Sequence, residues 1–229
     1  MRFGRLPAVL VVAFGFDVVS ALAGAPRAWA GSGSDRDPSP AFPLDDVPRV
    51  IEASGPVRCP DVELEVYRGA RIPFSKPARV NRDFAARLRL LEEVVAEIGE
   101  RFYGRAPRRL VHLGTFNCRR IRRYPTFLSE HGLGNAIDVA GFDFGPLPRG
   151  ARAPAELPRS LRRGFAVRID PHWRATRGAG AVHAAFLRAL ADALIERDNL
   201  FRGIFGPAWP GHRNHFHLDA APWRMVEVY

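Results

Sequence analysis

"SEHGLGNAIDVAGF", Ser129 to Phe142, places a histidine and an aspartate on either side of two glycines, just ahead of apolar residues with strand character. His131 and Asp138 are both good ligands for a divalent metal, and Gly132 and Gly134 let the backbone turn tightly around an ion. Two ligands do not complete a site. "GHRNHFHLD", Gly211 to Asp219, supplies the third. Side chains alternate faces along a strand, so His215 and His217 project to one side while Phe216 points into the core. The resulting His, Asp, His set leaves a fourth position open, as a catalytic zinc requires and a structural zinc does not. Asp219 falls on the His217 face, where it would orient a ligand histidine.

Outward from these segments, hydrophobic periodicity predicts the fold. Phe84, Leu88, Leu91, Val95, Ile98 and Phe102 alternate at steps of four and three, the buried face of a helix capped by Asn81 or Asp83 and ended by Gly104. "RRLVHLGTF" reads as a strand running into Asn117, Cys118 and Arg119; "NAIDVAGF" and "GFAVRID" (Gly164 to Asp170) read as two more. Residues 143–163, rich in Pro, Gly and Arg, are expected to form a surface loop bordering a cleft. Val182, Phe186, Leu190 and Leu194 mark a second helix ending near Asn199, and "GIFGP" and "HFHLD" are short final strands. With no internal repeats, this order predicts an α+β domain, with helices packed on a mostly antiparallel sheet.

Composition bounds the compartment. At 229 residues and 47% hydrophobic, the chain has material for one core, which excludes wholesale disorder. Arg2 and Arg5, the run "LPAVLVVAFGF" and the small residues of "AWA" predict a signal peptide over residues 1–30, with Asp17 interrupting the apolar region. Residues 31–47, "GSGSDRDPSPAFPLDDV", read as a flexible linker, and the folded domain is expected over 48–229, beginning between Pro48 and Cys59. No later stretch reads as long and apolar enough to span a membrane, so a monomeric, periplasmic or secreted protein is expected, without stable membrane insertion after signal removal. Cys59 and Cys118 then form a disulfide, with Cys118 as a metal ligand the alternative. The net charge of +10 comes almost wholly from arginine, Lys76 being the one lysine. No aromatic-interleaved basic stripe accompanies it, which argues against nucleic acid and leaves anionic wall polymers or lipid headgroups as surroundings.

The segments "TFNCR", "SEHGLGNAIDVAGF" and "HFHLD" resemble the extensin-like C-terminal family of bacteria, which is related to D-alanyl-D-alanine carboxypeptidases, penicillin-insensitive murein endopeptidases and the hedgehog signalling domain. Ser129, His131, Gly134, Ala136 and Asp138 match the relatives' Ser-x-His-x-x-Gly-x-Ala-x-Asp, and His215 and His217 their later His-x-His. The resemblance implies a hedgehog/D-Ala-D-Ala-peptidase-like fold in which His131, Asp138 and His217 hold zinc and His215 serves as the base. His212 would assist it. Some relatives place a glutamate base three residues before the last histidine, where this chain has Asn214. Arg119, or Arg120 in its stead, would clamp a substrate carboxylate or support an oxyanion. Ser129 is expected to cap the turn or orient a ligand rather than act as a nucleophile.

The implied function is a zinc-dependent peptidase on peptidoglycan stem peptides or cross-links, carboxypeptidase and endopeptidase remaining open. A catalytically silent, zinc-containing module that binds wall peptides is the alternative, favoured by the missing glutamate. A structural wall protein is a poor third reading, because there are no Ser-Pro repeats. His112, His172 and His183 have ordinary packed or surface roles in this reading. Trp209 and Trp223 belong to the core or line a substrate groove.

Overall fold

The computed structural model describes residues 42–229, so the expected signal peptide and residues 31–41 of the expected linker lie outside the described residues. Ordered structure begins earlier than the sequence predicts. Phe42 lies under the guanidiniums of Arg87 and Arg202, and Asp45 pairs with Arg202.

Strands β1 (Leu64–Tyr67) and β2 (Ala78–Asn81) form an antiparallel pair that leads into helix α1 (Arg82–Tyr103). Asn81 caps α1: its Oδ1 accepts the Phe84 amide at 2.8 Å, while Asp83 sits in the first turn. Gly104, at φ 70°, ends the helix. Strand β3 (Arg109–His112) follows and stops short of the expected run to Arg119. The chain makes instead a small hairpin, β4 (Arg120–Ile121) with β5 (Tyr124–Leu128).

A short 3-10 turn (Glu130–Leu133) then delivers β6 (Ala136–Phe144), the central strand. β7 (Phe165–Arg168) ends two residues before the expected Asp170, where the chain enters the helical turn α2 (Ile169–His172). Helix α3 (Gly178–Glu196) ends before Asn199, and β8 (Gly203–Phe205), β9 (Phe216–Asp219) and β10 (Met225–Glu227) complete the domain. α3 is apolar and long enough to span a bilayer by composition, contrary to expectation. Phe186, Leu187, Leu190 and Leu194 are buried in the domain, which makes it a core helix.

The principal sheet runs β10-β8-β9-β6-β3, antiparallel except for β10 with β8. β9 and β7 pair with successive halves of β6. The protein is therefore α+β. α1 and α3 pack on the sheet through Phe186 against Phe142 and Phe144, and Tyr103 against Phe144.

One irregularity in β6 positions the site. Opposite β3 the register jumps, so that Ala140 is an extra residue beside Gly141 at φ 155°. A Cβ at Gly141 would lie 2.1 Å from the Val167 carbonyl, so only glycine fits the bulge. Alternation changes phase there: Ile137 and Val139 enter the core before it, Phe142 and Phe144 after it. Asp138, between Ile137 and Val139, thus faces the opposite side of the sheet.

Candidate metal centre

Asp138 on β6 and His217 on β9 are direct cross-strand neighbours. His131 comes from the 3-10 turn, which closes at Gly134 in the left-handed conformation, φ 59°. A Cβ at Gly134 would sit 2.5 Å from Leu64 Cδ2. The tight turn returns the chain so that His131 reaches over the strand that follows it.

Three ligand atoms converge. His131 Nε2 lies 3.2 Å from Asp138 Oδ1 and 3.2 Å from His217 Nδ1, and His217 Nδ1 lies 3.0 Å from Asp138 Oδ1. Bonds of about 2.0–2.1 Å at tetrahedral angles put ligand atoms about 3.3 Å apart, so this triangle fits one zinc-sized ion. These residues form the one group of three or more potential ligands among the described residues. Second partners set which ring nitrogen points inward. His131 Nδ1–H donates to the Thr115 carbonyl at 2.5 Å, and His217 Nε2–H to Asp219 Oδ2 at 2.8 Å. Asp219 is held in turn by the Ala221 amide. Once deprotonated, both inward nitrogens would present lone pairs beside a carboxylate, a donor set that could hold a cation.

The electrostatics follow from that crowding. Burial alone would raise the Asp138 carboxyl, but hydrogen bonds from His131 and His217 outweigh it and hold the group far below the usual carboxylate range. Burial would lower His217, yet its hydrogen bonds with Asp138 and Asp219 reverse this and raise it to about 9. At neutral pH an ion held here would have to displace a proton from His217.

His215 stands immediately before β9, with Nε2 3.5 Å from Asp138 Oδ1. Its Nδ1–H donates to Asn214 Oδ1 at 2.9 Å, which turns the Nε2 lone pair toward the centre. Asn214 thus orients the histidine that would act as base. Burial, opposed by the nearby Asp138 charge, lowers His215 from its ordinary value. His212 packs on the His215 ring with centroids 4.8 Å apart and donates to the Pro210 carbonyl. Burial and the neighbouring His217 and His215 lower it to about 4.

These groups open into a cleft of about 900 Å³. Arg119 lines it from the segment just before β4, while Arg120 turns away to the carbonyls of Glu52, Ser54 and Gly55 and cannot substitute for it. Ser129 also lines the cleft and makes no capping hydrogen bond. Trp209 and Trp223 belong to the cleft wall. Residues 143–163 do not border it; Arg152 to Ala155 line a separate, smaller hollow beside Gly104.

The Cys59–Cys118 disulfide forms, which removes Cys118 as a ligand, and it packs against Gly132 of the ligand turn. Sequence reasoning missed Arg49 and Glu130. Their buried guanidinium and carboxylate pair at 2.9 and 3.1 Å, and Asn135 Nδ2 donates to the same carboxylate at 2.6 Å and to the Ala220 carbonyl at 2.9 Å. This network ties the N-terminal segment to both ligand-bearing elements. Glu130, adjacent to His131, was the available signal; Arg49 lies 81 residues away in sequence and offered none.

Residues 46–147 match the model of the family described as Extensin-like protein C-terminus. This supports the extensin-like family. The extensin-like match takes in both cysteines, Arg119, His131 and Asp138, whereas His215 and His217 lie beyond it. No curated protein and no solved structure gives a significant match.

Proposed function

We propose that this protein is an exported zinc-dependent peptidase acting on peptidoglycan stem peptides or their cross-links. The observation that carries this reading is the convergence of His131 Nε2, Asp138 Oδ1 and His217 Nδ1 beside the inward-facing Nε2 of His215. A zinc ion held by the first three residues would supply Lewis acidity, polarising a carbonyl and making water more acidic. His215, neutral at working pH because burial lowers its pKa, takes the proton of attacking water at Nε2 and passes it to the leaving amine. Asn214 holds the ring for both transfers. Arg119 binds a substrate carboxylate or the developing oxyanion. Asp219 keeps His217 in the tautomer that presents Nδ1.

The test is cleavage of defined muropeptides, with and without chelator. His215→Ala should keep its zinc yet lose roughly 10²- to 10⁴-fold in product formation, the usual worth of a positioned proton carrier. The alternative, a silent wall-peptide-binding module, draws on Asn214 standing where some relatives have glutamate. It requires wild type and His215→Ala both to bind zinc and peptide without releasing product.

A further inference from the structure

The cleft is unevenly neutralised. Its carboxylates are all engaged: Asp138 by His131 and His217, Glu130 by Arg49 and Asn135, Asp219 by His217 and the Ala221 amide. Its arginines are not. Arg119, Arg122 and Arg123 line the cavity, and among the described residues none of them pairs with a carboxylate, whereas Arg49, Arg71, Arg109, Arg168, Arg202 and Arg213 each do. Arg122 and Arg123 form the exposed turn between β4 and β5. Arg123 lies over the Trp209 indole, 5.4 Å from the ring centroid, and so reaches from the hairpin to the segment that precedes the histidine strand.

We propose that Arg122 and Arg123 form a carboxylate-binding subsite that selects acidic peptides. They would grip a carboxylate distinct from the one Arg119 meets beside the metal centre. The inference deepens the peptidase reading and takes from it that the ligand is a peptide. Guanidinium forks bind carboxylates through paired hydrogen bonds, and the Trp209 indole beneath Arg123 restrains its guanidinium at the cleft wall. The apolar side of the same cleft, Phe127, Phe205, Trp209 and Trp223, accommodates the uncharged parts of the chain.

Binding is measured on the zinc-loaded protein through tryptophan fluorescence, with acetyl-Ala-Glu-Ala-Glu-amide as the acidic probe and acetyl-Ala-Gln-Ala-Gln-amide as its neutral twin. The acidic probe should bind at least about tenfold more tightly than the neutral one. Arg122→Gln with Arg123→Gln should abolish that preference and leave zinc content unchanged, since neither residue touches the ligand triangle. Arg162→Gln with Arg163→Gln removes the same charge outside the cleft and should change nothing. Arg123→Lys keeps the charge without the fork and should fall between wild type and the double variant. Equal binding of the two probes, no binding of either, or equal weakening in the Arg162/Arg163 control would overturn the subsite. Arginine-dependent binding without any cleavage would sustain the subsite while removing the peptidase reading. Muropeptide cleavage indifferent to Arg122 and Arg123 would do the reverse.

Discussion

His183 and His217 are both buried histidines of the same domain, yet His183 is lowered to about 4 and His217 raised to about 9. His183 sits among Tyr103, Phe165 and His172, with the Tyr103 hydroxyl 2.9 Å from its Nδ1. Burial and the neighbouring His172 disfavour its charged form, and the imidazole stays neutral. His217 is also buried but has carboxylates at 3.0 and 2.8 Å, one on each ring nitrogen. Histidines gathered in a core do not by themselves make a metal site. What separates the two regions is the carboxylate of Asp138 between the inward ring nitrogens of His131 and His217, with Asp219 fixing the His217 ring behind it.

The candidate metal-centre region also differs in its bracing, and breaking the brace should give the largest stability effect. Arg49→Met leaves the Glu130 carboxylate buried without its guanidinium and should cost about 3–5 kcal/mol in denaturant unfolding. Combining it with Glu130→Met should recover most of that loss. A single Arg49→Met variant as stable as wild type would contradict the buried pair.

Acid should act on the other region. A histidine with depressed pKa contributes stability that is fully present above its unfolded value of about 6.5 and lost as pH falls toward about 4. Lowering the pH through that window should therefore remove on the order of 3 kcal/mol through His183. His183→Phe should show a correspondingly shallower dependence. An unchanged slope in the variant would place the proton uptake elsewhere.

A smaller effect sharpens the role of the second carboxylate. Asp219→Ala frees the His217 ring to rotate or change tautomer and should weaken zinc affinity by roughly 10- to 100-fold, read by competition with a chelating dye. Zinc affinity equal to wild type would reduce Asp219 to a structural partner of the Ala221 amide.

These contrasts bear on what a sequence can reveal. α1 was legible because its apolar face repeats over 22 residues between a capping asparagine and a terminating glycine. The grouping of His131, Asp138 and His217 was legible because each half is local, a turn before β6 and alternation along β9. β1, β2 and the β4–β5 hairpin were not, since strands of two to five residues whose buried and exposed side chains do not alternate carry little periodic signal. Arg49 with Glu130, and Arg123 over Trp209, join residues far apart in the chain, so only folding brings their chemistry together. Asn214 read as a missing base; folded, its amide oxygen aims His215.

Metal content is the decisive measurement, because His131, Asp138 and His217 are proposed to converge on one ion. Purified wild-type protein, dialysed after zinc loading, should retain about one zinc per chain, and so should His183→Ala, whose histidine belongs to the other cluster. His217→Ala, left with two ligands, should retain almost none. Zinc near zero in wild type, or His217→Ala holding it as well as wild type does, would mean that these three residues do not form a zinc site.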